Sequence, residues 1–190
     1  RSARWRSEAG WPAPARVELA DDRIPADRAY RLASEGTALL WRGDFQNARQ
    51  LVQALARRID RKPRKAPGDP AAASTPAAMA DAFYRHRQAQ GRRARVLAMV
   101  LVEVDGDYHI PLRRAPVLRA ACAEAWGPSD GQPQVVALRE LLGLVGAHEW
   151  RKKGVEVPAL GPAPDHRIHP HYGVFSPVRG EYLDLVARAP

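Results

Sequence analysis

Apolar residues recur at helical spacing twice in the first third of the chain. Tyr30, Ala33, Thr37, Leu40 and Trp41 predict an amphipathic helix opening at Asp27 and running to Trp41. Gly43 then acts as a stop and Asp44 as a cap, and Phe45, Ala48, Leu51, Val52, Leu55 and Ile59 form a second apolar stripe. Two helices on so short a connection are expected to pack as a helical hairpin. A third helix is expected from the cap Thr75, with Pro76 at its first position, through Met79, Ala82 and Phe83 to about Gln90, ended by Gly91.

The pattern then changes. Val96 to Val104 is β-branched and apolar, and Asp105-Gly106 separates it from Tyr108-His109-Ile110, which signals a β-hairpin within residues 95–110. Residues 116–126 and 135–150 return to helical spacing, joined by the turn-rich segment Gly127 to Pro133. Short extended pieces are expected at Val155 to Val157 and Tyr172 to Phe175, and a last short helix from Glu181 to Ala189. No repeat of solenoid period is visible. The expected fold is therefore α+β, mostly helical, with one β-hairpin and a C-terminal extended connector. The organisation expected is an N-terminal arm over 1–24, a mainly helical recognition domain over 25–165 with a Pro/Ala-rich linker near 60–75, and a connector over 166–190.

Composition narrows the classes available. The 190 residues are enough for one domain with a real core. The longest apolar stretch, Val96 to Val102, is far below the roughly 20 residues a membrane-crossing helix needs, so no membrane partner is expected. A single cysteine, Cys122, excludes an intramolecular disulfide, and with no signal-like start the expected setting is reducing and cytoplasmic. Lys and Arg total 30 against 21 acids, and only four of the thirty are lysines. Arginine forks suit phosphates, carboxylates and base stacking, although a GC-rich bacterial genome produces the same bias.

Candidate chemistry gathers toward the C-terminal end. Arg151, Lys152 and Lys153 lie close in sequence to His166, His169, His171, Tyr172 and Arg179. The histidines lack the fixed paired spacing of a zinc site, and Pro170 separates two of them, so no metal is expected. Cys122 sits among alanines and reads as a small buried hydrophobe, Ser176 lacks a nucleophile elbow, and no glycine-rich phosphate loop is present. No catalytic or cofactor-binding residue can be assigned. Three basic patches remain as candidates for phosphate contact: Arg57 to Lys65, Arg85 to Arg95, and Arg151 to Lys153, with Phe83, Tyr84 and Trp150 beside them for stacking.

The stretch Phe175-Ser-Pro-Val-Arg-Gly-Glu-Tyr-Leu-Asp-Leu-Val186 resembles the lead-in to the cofactor domain of class I S-adenosylmethionine-dependent methyltransferases of the release-factor glutamine methyltransferase type. Pro177, Arg179, Glu181 and Leu185-Val186 carry the likeness, whereas Gly180 and Tyr182 depart from it. The runs Tyr30 to Leu51 and His169 to Phe175 are similar to the N-terminal region of bacterial and plant small-domain methyltransferases. The resemblance implies that the glycine-rich S-adenosylmethionine loop and the acceptor motif follow residue 190, in a C-terminal catalytic domain of the same polypeptide. It also implies that this chain recognises a macromolecular substrate, protein or RNA, and is inactive alone. Arg151, Lys152, Lys153, His169, His171, Tyr172 and Arg179, nearest the implied junction, are the expected substrate contacts. Two other readings compete: a stand-alone basic nucleic-acid-binding module, and a helical protein-interaction domain.

Overall fold

The computed structural model describes residues 3–61, 75–174 and 180–189, and among them the chain forms a five-stranded sheet backed by helices. The strands are β1 (Arg4–Arg6), β2 (Arg16–Ala20), β3 (Thr37–Trp41), β4 (Val100–Val104) and β5 (Gln134–Ala137), and they lie in the order β1-β5-β4-β3-β2. β2, β3 and β4 run parallel, β5 is antiparallel to β4, and β1 is parallel to β5. Parallel neighbours need crossover connections, which α1 (Ala26–Ser34) supplies between β2 and β3, and α2 (Phe45–Asp60) with α3 (Pro76–Leu97) between β3 and β4. α4 (Arg119–Trp126) and α5 (Leu138–Lys153) follow, and a small hairpin of β6 (Val155–Glu156) and β7 (Arg167–Ile168) precedes the last helix, α6 (Gly180–Ala187). The α+β class expected from the sequence is the one the chain adopts.

One face of the sheet carries the main core. Leu39, Trp41, Val100, Val102, Val104 and Val136 pack there against Ala29 of α1, Phe45, Ala48, Leu51 and Leu55 of α2, Cys122 of α4, and Leu138, Leu141 and Leu144 of α5. Burying each of these larger side chains contributes roughly 1.5–3 kcal/mol, so this face dominates the fold's stability. Burial also pushes the Cys122 thiol up to about 11, which leaves it a small inert hydrophobe.

The helix expected from Asp27 to Trp41 is two elements. α1 stops at Ser34, Gly36 takes a φ of +81° that favours glycine, and Thr37–Trp41 becomes the inner strand β3. The helical hairpin is thus replaced by a strand between two helices. Residues 135–150 divide likewise, into β5 and α5. Nor does Gly91 end the third helix, because Val96 and Leu97 at its far end are buried and hold it in one piece. Thr75 does cap that helix, its Oγ1 accepting the Ala78 N–H at 3.2 Å.

The Asp105-Gly106 turn forms as expected, with the Asp105 carboxylate accepting the N–H groups of Asp107 and His109 at 2.9 and 2.8 Å. No return strand follows it. Both edges of β4 are already taken by β3 and β5, so Ile110 turns into the core instead.

The N-terminal segment is a strap rather than an arm. β1 lies at one edge of the sheet and β2 at the other, and the residues between them pass over the second face, where Trp5 and Trp11 cover Ala38, Leu101 and Ala137. The Trp5 indole N–H donates to the Trp11 carbonyl at 2.8 Å. Strands of three and five residues draw their stability from ladder bonds to remote segments, so no local period announces them. Most of the linker expected near 60–75 lies outside the described residues.

Candidate functional site

The last turn of α5 carries Arg151, Lys152 and Lys153 and ends at Gly154, whose φ is +75°. β6 leaves from there, and its antiparallel partner β7 brings the chain back beside α5, with Val155 opposite Ile168 and Glu156 opposite Arg167. This return sets His169, Pro170, His171 and Tyr172 against the helix end. An added Cβ at Gly154 would lie 2.9 Å from His169 Cε1 and 3.1 Å from Arg167 Cβ, so the turn closes only around a glycine.

His169 Nδ1 lies 2.6 Å from the Arg151 carbonyl oxygen. A carbonyl only accepts, so Nδ1 carries the proton and donates. His171 Nε2 lies 3.4 Å from Arg151 Nη2, where the guanidinium donates and the imidazole accepts. The same guanidinium meets Glu124 of α4 at 3.0 Å through Nη1, and the other Glu124 oxygen is 2.7 Å from His148 Nδ1. Burial alone would raise the Glu124 carboxyl, but the hydrogen bonds from His148 and Arg151 outweigh it and hold the group below the usual carboxylate range. Glu124 is therefore the anion that joins α4, α5 and the returning segment.

Tyr172 completes the contact from the other side. It is half-buried against the main core, and its hydroxyl is pushed up by burial and by the negative charges of Glu8 and Glu140. Those acids belong to the N-terminal strap and to α5: Glu140 accepts from Ser7 Oγ at 3.1 Å and from the Glu8 N–H at 2.9 Å. The N-terminal strap and the segment returning from β7 thus meet at Tyr172. Next to it, Ala147, Trp150, Pro170, His171, Gly173 and Val174 line a shallow apolar groove, with Trp150 59% exposed.

The expected contact residues fall into three groups. Arg151, His169, His171 and Tyr172 come together. Lys152 and Lys153 stay on the exposed rim, Lys152 paired with Glu149 at 3.4 Å and Lys153 lending its carbonyl to Arg167 at 2.8 Å. Arg179 lies outside the described residues. The anion Glu124 was not legible in the sequence, because a lone acid in an alanine-rich helix carries no partner signal. Among the described residues no group of three or more His, Cys, Asp or Glu side chains converges on a metal position.

A second polar cluster surrounds Asp44, whose capping role was expected but whose partners Asp22, Arg113 and Arg114 were not. Asp44, 2% exposed, caps α2 by accepting the Gln46 N–H at 2.9 Å and binds Arg114 Nε at 2.7 Å. Its own N–H donates to Asp22 at 2.9 Å, and Asp22 also accepts from Asn47 at 3.0 Å and Arg113 at 3.0 Å. Every carboxylate here has its donors within the fold, so the cluster clamps the 105–115 loop to the end of β3 rather than awaiting a ligand.

The C-terminal latch can be tested directly. Arg151→Glu places a like charge beside Glu124 and removes the donor to His171. Amide exchange across residues 166–174 should quicken about tenfold, with little change across the central strands. Unchanged exchange there would show that the backbone contact of His169 suffices alone.

No protein-family description, curated protein or solved structure matches the chain in comparison, so what it does must be argued from its own residues.

Proposed function

We propose that this chain is the substrate-recognition region of an S-adenosylmethionine-dependent methyltransferase that acts on a nitrogen of a protein or RNA substrate. The observation that carries the reading is the latch of His169 and His171 onto Arg151. It fixes, against α5, the segment that leads into the stretch resembling a methyltransferase junction. A recognition domain held rigidly to its catalytic domain serves a reaction in which rate comes largely from positioning the acceptor nitrogen against the sulfonium methyl.

No cofactor contact is proposed among the described residues, because the resemblance assigns the S-adenosylmethionine loop to a separate catalytic domain. No step of methyl transfer is therefore assigned to this chain's side chains. Its part is to bind and orient, with Arg151, Lys152, Lys153, His169, His171, Tyr172 and Arg179 as the contacts proposed nearest the junction.

The test is made on a polypeptide that carries this chain together with the proposed catalytic domain. Calorimetry should detect S-adenosylmethionine binding, and charge reversal at Arg151, Lys152 and Lys153 should weaken substrate binding about tenfold or more with cofactor affinity unchanged. A longer polypeptide that binds no S-adenosylmethionine would sink the proposal and leave the stand-alone basic module as the better reading.

A further inference from the structure

α3 is unusual in how little of it touches the rest of the molecule. Of its 22 residues only Val96 and Leu97 are buried, and those before Arg93 are exposed except Ala78. Its attachment is the pair Arg93–Asp60, at 2.9 and 3.0 Å, which ties it to the end of α2. A helical stretch so exposed gains little from packing and rests on its Thr75 cap and on good helix formers. Large apolar groups stand out on it nonetheless: Met79, Phe83 and Tyr84 are 60–65% exposed, and the two rings meet edge to face with centroids 5.9 Å apart.

The charge on this helix is almost all positive. Arg85, Gln88, Arg92 and Arg95 follow one another at spacings of three and four, so they fall on one stripe. Asp81 is its single acid, and Arg85, Arg92 and Arg95 make no ion pair among the described residues. The stripe leads somewhere. Arg92 and Arg95 border one recess against the turn at Ser34 to Gly36, and Arg95 and Met99 also border a second recess of about 560 Å³ walled by Trp5, Trp11 and Pro12 of the strap. Three unpaired guanidinium groups thus lead to a mainly apolar pocket bordered by the Trp5 and Trp11 indoles, where the one acid, Glu140, is already engaged by Ser7 and the Glu8 N–H.

We propose that α3 and this pocket bind a single-stranded nucleic acid, RNA for preference, with its phosphates along Arg85, Arg92 and Arg95, a base against Tyr84 and another between Trp5 and Trp11. A cationic track beside aromatic faces matches a strand whose bases are free to stack. An acidic peptide satisfies the arginines but leaves the indole-lined pocket without a partner. A duplex keeps its bases stacked and offers none to the rings. The proposal deepens the methyltransferase reading by naming its substrate class, and it rests on that reading only for its place in a methyl-transfer reaction.

The experiment uses the 190-residue chain and a fluorescent twelve-nucleotide oligouridylate, followed by anisotropy across a salt series. Binding should weaken with salt at a log–log slope of about −2, as three single-strand phosphate contacts require. Arg85→Gln, Arg92→Gln and Arg95→Gln together should abolish most of that slope, and Tyr84→Ala should weaken binding about tenfold. All four positions are exposed, so unchanged melting temperatures will separate lost contact from lost fold. Trp11→Phe, which keeps the strap packed, should weaken binding less than Tyr84→Ala. Equal affinity for a duplex of the same length, displacement by polyglutamate at matched charge, or variants that bind like the parent would each overturn the proposal. None of these outcomes bears on S-adenosylmethionine binding by the longer polypeptide, so the two readings fail separately.

Discussion

Alanine at position 43 should destabilise the protein by about 3 kcal/mol, lowering its melting temperature by roughly 6–12 °C. The added Cβ would stand 2.4 Å from Asp22 Oδ1 and 2.9 Å from the Asp22 backbone nitrogen, so both the side chain and the chain that carries it must move. That movement breaks more than one bond. Asp22 Oδ1 accepts the Asp44 N–H and the Asn47 amide, and Oδ2 accepts from Arg113, so displacing it loosens the cap of α2 and the loop clamped above it. A urea titration followed by tryptophan fluorescence measures the loss. Gly146→Ala in α5 is the matched control: a Cβ there meets nothing within 4 Å, and alanine's better helix propensity should leave the protein unchanged or up to about 1 kcal/mol more stable. Equal midpoints for the two variants would mean that Asp22 yields freely and that the clamp contributes little.

Acid should unfold the protein well before its core would demand it. The hydrogen bond from the Asp44 N–H holds Asp22 below its ordinary value of 3.8, and Arg114 does the same for Asp44. Arg93 lowers Asp60, and Glu124 is lowered, against its burial, by His148 and Arg151 from an ordinary value of 4.5. In the unfolded chain these groups bind protons at their ordinary values, and in the folded chain only at lower pH. Between the two, the unfolded state carries more protons, so the stability they contribute is full above about pH 5 and drains away as pH falls through 4 toward the folded values. Asp44 and Glu124, with side chains 3% and 13% exposed, should dominate, whereas exposed Asp27 is screened and contributes least. The net charge of +9 at neutral pH grows on acidification and adds repulsion in the same direction. Urea midpoints measured at pH 7, 5, 3.5 and 2.5 should be level over the first pair and fall steeply over the second. A midpoint that stays flat down to pH 3 would contradict the ion-pair account.

Several features were legible without a structure because they depend on neighbours in sequence. The stripe of Phe45, Ala48, Leu51 and Leu55 defines α2 by period, and Asp44 and Thr75 sit where their side chains can cap the helices that follow. The Asp105-Gly106 turn forms from its own residues, and the arginine-rich run on α3 was visible as a phosphate-contact candidate. Each of these rests on interactions spanning a few residues, for which local pattern is sufficient information.

The tertiary structure decided what depends on remote partners. Thr37–Trp41 and Gln134–Ala137 are short apolar runs that continue the spacing of the helices beside them, and only sheet neighbours on both sides make them strands. Trp5 and Trp11 lack any period, yet they close the second face of the sheet because β1 and β2 occupy opposite edges. Arg151, His169 and His171 were singled out by their crowding in sequence, but their latch requires Glu124 from another helix and a hairpin to turn the chain back. Long-range pairing of backbone edges and of buried charges leaves no periodic trace, and that is why these contacts had to be seen in three dimensions.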